Sequence, residues 1–146
     1  MKKELRAYIE AELRGYHRTK AELEEIRDNL LNSSPEPADG MPKGTETSDP
    51  TFRQAVKLMT NRRIKYMEGL IYGIGMVLDE LPQEKYRLVE LKYWQRPRQL
   101  TDAGIAMELN IDRRTVYKWN EAIYLAIGIE LGLIDEIRHK TGTFDM

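Results

Sequence analysis

The side chains best suited to chemistry lie between positions 113 and 121, where Arg113, Arg114, Tyr117, Lys118 and Glu121 are interleaved in the run DRRTVYKWNEAI. On a helix that starts at Arg113, these five point away from Val116, Trp119 and Ile123. An arginine fork matches the O6 and N7 acceptors of guanine, a lysine reaches guanine or a phosphate, and a tyrosine meets a phosphate or a thymine methyl. The five are therefore candidate base-reading residues for a major groove. Two arginines and a lysine also make an ordinary solvated helix face, so the spacing gains meaning only from the elements around it.

Catalytic chemistry has no comparable support. The chain has 146 residues and no Cys, which removes thiol nucleophiles, disulfides and Cys-held zinc or iron. The two histidines, His17 and His139, stand alone. Asp135 and Glu136 are neighbouring acids with no nucleophile or metal set beside them. No glycine loop of the phosphate-cradling kind occurs. The expectation is a protein that is not an enzyme and holds neither metal nor cofactor.

The segment TDAGIAMELNIDRRTVYKWNEAI, residues 101–123, has the pattern of a helix-turn-helix. Ile105 and Leu109 face inward from its first helix, and Ala106 is small where the second helix crosses. Asn110 stands where the turn needs a left-handed backbone, a conformation that Asn tolerates better than most residues. Ile111 plugs the turn, Asp112 caps the second helix, and Val116 and Trp119 face inward. Before the motif, Arg96, Arg98 and Gln99 in QRPRQL, with Thr101, are candidate phosphate contacts. A soluble loop is the other reading of that stretch. A second basic run, Arg53, Lys57, Arg62, Arg63 and Lys65, has no acid until Glu68 and either solvates a helix or widens the phosphate footprint. Tyr93 and Trp94 either stack on bases or close the core above the motif.

Apolar positions Ile9, Leu13, Tyr16, Leu23, Ile26 and Leu30 recur at helical spacing, which predicts one long amphipathic helix over residues 3–31. The stretch 32–50 holds four prolines, two glycines and no aromatic, and reads as a flexible linker. Ser48 or Asp49 can cap a second long helix with Pro50 in its first turn, and its buried face is expected at Phe52, Val56, Met59, Met67, Leu70, Ile74, Val77 and Leu81. The two form an antiparallel hairpin or pair between chains. Gly69, Gly73 and Gly75 allow close approach of another backbone, within the core or in a dimer. Pro82 ends that helix, and three more follow at 84–95, 102–109 and 113–131. The expected domains are residues 1–81, the helix-turn-helix domain 82–134, and a tail 135–146.

Charge supports this division. The net charge is −1, but residues 83–120 carry eight basic and five acidic side chains, whereas 33–50 and 121–146 are each net acidic. The N-terminus lacks the apolar core of a signal peptide. GLIYGIGMVL, residues 69–78, is about half the roughly 20 residues that a membrane span needs. A cytoplasmic protein with no membrane partner is expected.

From LPQEKYRLVELKYW through DRRTVYKWNEAI, about the last 60 residues, the chain resembles the sigma region 4 domain, the part of bacterial sigma factors that recognises the upstream promoter element. It lacks the preceding aromatic and basic region with which a sigma factor melts DNA. Taken whole, with a helical N-terminal half, a Ser/Pro/Asp-rich interruption and an ending like NEAIYLAIGIELGLI, it is similar to the RinA and ArpU families of phage and prophage transcriptional regulators of Gram-positive bacteria. The resemblance implies activation of late phage genes, with Arg113, Arg114, Tyr117 and Lys118 as readers. The expected fold is all-α, a long N-terminal helical hairpin followed by a sigma-region-4-like helix-turn-helix domain. The expected partners are double-stranded DNA and either RNA polymerase or a second copy of the chain. Two further readings stay open: a small DNA-recognition subunit of a phage packaging terminase, and a helical module that binds RNA polymerase through protein contacts.

Overall fold

A computed structural model describes residues 1–32, 50–96 and 100–135, and among these every regular element is a helix. The elements are α1 (Lys3–Arg14), α2 (Tyr16–Asn32), α3 (Pro50–Glu80), α4 (Gln83–Val89), a wider π-helical turn (Glu90–Trp94), α5 (Asp102–Leu109) and α6 (Arg113–Glu130). No helix among them is long and apolar enough to cross a membrane. The proposed linker, including the capping candidates Ser48 and Asp49, lies almost entirely outside the described residues, as do Arg98, Gln99 and the tail beyond Asp135.

The single helix expected over 3–31 is two. α1 ends at Gly15, whose N–H bonds Ala11 O at 3.0 Å, and α2 begins at Tyr16. Glycine has the weakest hold on helical backbone of any residue but proline, so a break is cheapest there. The break also marks a boundary: Met1–Tyr16 joins the chain from Leu70 onward in one compact unit, and His17–Gly69 forms a second. α1 thus belongs with the C-terminal helices, and the first boundary falls well before residue 81.

The first unit buries Ile9 and Leu13 of α1, Ile74, Val77 and Leu78 of α3, Leu88 and Val89 of α4, Ile105 and Ala106 of α5, and Val116, Ile123 and Ile127 of α6. Trp94 is tied in by its indole N–H, which donates to Leu13 O at 2.9 Å, and by stacking on Tyr16 at 6.1 Å between ring centres. α6 is closed by Gly132, whose φ of 75° suits glycine, and the chain turns back so that Leu133 N–H bonds Gly128 O at 2.8 Å. A Cβ on Gly128 would lie 2.5 Å from Ile134 Cδ1 and 3.4 Å from Ile9 Cδ1. A side chain there would require Ile134 to shift, and α1 and the returning chain close over α6.

In the second unit, Leu23 and Met67 are buried, and two ion pairs, Arg27 with Glu68 and Arg63 with Glu22, link α2 to α3. The apolar stripes do not stay covered along their length. Phe52, Val56 and Met59, expected in the core, are exposed, as is Leu30 on α2. Their spacing is helical, but no other described element covers this end. Of the glycines expected at a close approach, Gly73 meets Leu131, whereas Gly69 faces open space.

Candidate nucleic-acid interface

The candidate site is built on the joint between α5 and α6. α5 starts at Thr101, whose Oγ1 accepts from Gly104 N–H at 3.1 Å, and its first turn is held by Lys92 Nζ, 2.8 Å from Asp102 Oδ1. Asn110 follows α5 with φ 57° and ψ 46°, the left-handed conformation that the sequence assigned to it. This lets the chain reverse, and Ile111 N–H then bonds Ala106 O at 3.0 Å. Asp112 begins α6: its Oδ1 accepts from Thr115 N–H at 2.9 Å and from the Thr115 hydroxyl at 3.0 Å. These two donors, the backbone one first, hold the Asp112 carboxyl below its ordinary pKa.

With its start fixed, α6 has a defined orientation. Val116 and Ile123 are fully buried and Trp119 is partly so, with Lys85 Nζ 5.6 Å from its ring centre. On the other side Arg113, Arg114, Tyr117 and Lys118 are all exposed. Glu121 stands apart from that group. It is half-buried and bonded at 2.5 Å by Arg6 of α1. Arg96 is exposed, and Thr101 is exposed with its hydroxyl oxygen accepting the α5 cap bond.

Sequence reasoning missed Arg6. Desolvation opposes its charge, yet Glu121 and then Tyr117, both beside the guanidinium, hold its pKa above the ordinary value. Arg6 therefore fixes Glu121, neutralises its charge and flanks Tyr117. Nothing local in KKELRAYIE signals this, because the partner is 115 residues away.

Behind the exposed face lies a buried polar cluster. Tyr93 is buried, which leaves packing rather than base stacking as its role. Its hydroxyl lies between Asn120 Oδ1, 3.1 Å away, and the Tyr124 hydroxyl, which donates to Glu10 Oε2 at 2.9 Å. Burial pushes both phenols above their usual pKa. Arg14 bonds Glu10 at 2.8 Å and covers the Tyr93 ring. The cluster ties α1, the π-helical turn and α6 together, so the exposed face rests on three elements. His17 is exposed, and no group of acids and histidines among the described residues could hold a metal.

These features define a class: an all-helical protein that displays an aromatic and basic helix face from a rigid joint. The chain belongs to the family described as protein of unknown function (DUF722), whose model matches residues 1–127 and so spans both units and the start, turn and exposed face of α6. No curated protein and no solved structure matches it.

Proposed function

We propose that the protein is a sequence-specific regulator of transcription that binds double-stranded DNA without catalysing a reaction. In this reading α5, the turn at Asn110 and α6 are a helix-turn-helix of the sigma region 4 kind, and α2 with α3 form the antiparallel hairpin. α6 enters the major groove with Arg113, Arg114, Tyr117 and Lys118, and Arg96, Arg98 and Gln99 contact the phosphate chain. Activation of late phage genes, as in the RinA and ArpU regulators, is the role that fits this layout best.

The observation that carries the reading is the exposure of those four side chains from a helix whose opposite face is buried and whose first turn is capped. Such support fixes the backbone position from which each donor projects before DNA arrives, so that only side-chain rotamers remain to be ordered on binding. Glu121 is removed from the reading set, because Arg6 already occupies its carboxylate. A single reading helix makes few base contacts, each good bidentate pair contributing about 1–3 kcal/mol of discrimination. A second copy or RNA polymerase is therefore expected to share the load.

Selection of bound fragments from a randomised duplex pool tests the proposal. The expected result is a recovered motif a few base pairs long, or two such half-sites. Retention of no duplex even at low salt overturns the reading and leaves the exposed face to a protein partner.

A further inference from the structure

The start of α1 lies against the far end of the exposed α6 face. Arg6 Nη2 meets Glu121 Oε1 at 2.5 Å, with the two side chains 35% and 28% exposed. Glu121 stands four residues beyond Tyr117 and three beyond Lys118, and residues at those spacings are neighbours on a helix surface. The ion pair therefore sits at the edge of the proposed reading face. On its other side the surroundings are apolar: Glu121 borders a depression lined by Met1, Leu5, Ala122, Leu125 and Ile134. A carboxylate without its arginine is costly against such a lining, so it turns toward Tyr117 and Lys118 and the exposed side they share.

We propose that Arg6 is a positioning residue for base selection: by holding Glu121 off the bases, it makes the α6 face reject cytosine at the base pair nearest that carboxylate. The inference rests on the DNA reading and adds α1 to it. Arg113, Arg114 and Lys118 carry only donors, which suit guanine and phosphate. A free carboxylate adds the acceptor that cytosine N4 requires, and it sets a negative charge beside the phosphates. Bonded to Arg6, the same carboxylate does neither. Its charge is offset and one oxygen is engaged, and turning it to a base would leave the guanidinium unpaired where burial opposes its charge.

Selection from a randomised duplex pool with the full chain and its variants tests the role. Arg6→Met keeps an apolar stem and removes the charged fork. It should return the wild-type motif changed at one base pair, where cytosine is enriched roughly tenfold, the order of one good base contact. Arg6→Lys keeps a cation beside Glu121 and should return the wild-type motif. Arg6→Met with Glu121→Ala should lose the cytosine, because the acceptor is gone. Glu121→Gln alone keeps an acceptor for Arg6 and should return the wild-type motif, a result that does not depend on how Arg6→Met folds. A wild type that retains no duplex overturns the DNA reading and this inference together. Where the wild type yields a motif, the inference alone is overturned by an unchanged motif for Arg6→Met, or by equal weakening of selected and scrambled duplexes in that variant. Cytosine that persists after Glu121→Ala, or a changed motif for Glu121→Gln alone, also overturns it.

Discussion

Two stretches of this protein carry arginine and lysine at helical spacing, and they are held in different ways. On α6, Arg113, Arg114 and Lys118 stand opposite Val116 and Ile123, which are buried, on a helix whose start is capped by Asp112. On α3, Arg53 and Lys57 lie where residues 50–59 are exposed on every side, and Arg62 is exposed one turn further on. The charges are alike and the support differs. A cation on a braced helix projects from a fixed backbone position, which base discrimination requires, whereas a cation on an uncovered helix suits phosphate attraction without choice of sequence.

Substitution of the supports should separate the two regions most strongly. Ile123→Ala, behind the α6 face, is expected to cost about 2–5 kcal/mol in thermal or denaturant unfolding. Met59→Ala, at an exposed position of similar apolar character, should stay within about 0.5 kcal/mol at concentrations where the chain is monomeric. Comparable losses at the two sites would show that α3 is covered after all.

A smaller effect is expected at the turn. Asn110→Ala places a Cβ-bearing residue with no local polar side chain in the left-handed region and should cost about 1–2 kcal/mol, whereas Asn110→Gly should be tolerated. Urea midpoints of the two variants check the difference.

The smallest effect concerns pH. The Asp112 carboxyl has a folded pKa below its unfolded one, so its contribution is fully present above the unfolded value and is lost as pH falls through the folded value. Asp112→Asn keeps an acceptor for the cap and removes the titration. Melting temperatures across the acid range should fall less steeply for that variant than for the wild type, and identical slopes would leave the cap without electrostatic weight.

The region around α5 and α6 was readable because its determinants are local. A left-handed Asn, an Asp followed three residues later by Thr, and apolar residues at helical steps each act over one turn, and α5 begins and ends at the expected residues. Tertiary covering was not readable. The stripe through Phe52, Val56 and Met59 has the spacing of a core and is exposed, because periodicity records which face a helix could bury and not whether another element reaches it. The break at Gly15 and the pairing of Arg6 with Glu121 were hidden for the same reason, since both depend on what α1 packs against. Glu121, held by Arg6, therefore stands apart from the exposed group with which spacing alone had placed it.

The central claim is that the exposed face of α6 reads bases, and it is tested most directly by comparing Arg114→Ala with Arg96→Ala on a selected duplex and on a scrambled one across a salt series. For Arg114→Ala, the account predicts a loss of about 1–3 kcal/mol confined to the selected duplex. For Arg96→Ala, it predicts equal weakening on both duplexes with a shallower salt slope. Equal losses on both duplexes for both variants would contradict the claim, because Arg114 would then be one more phosphate contact.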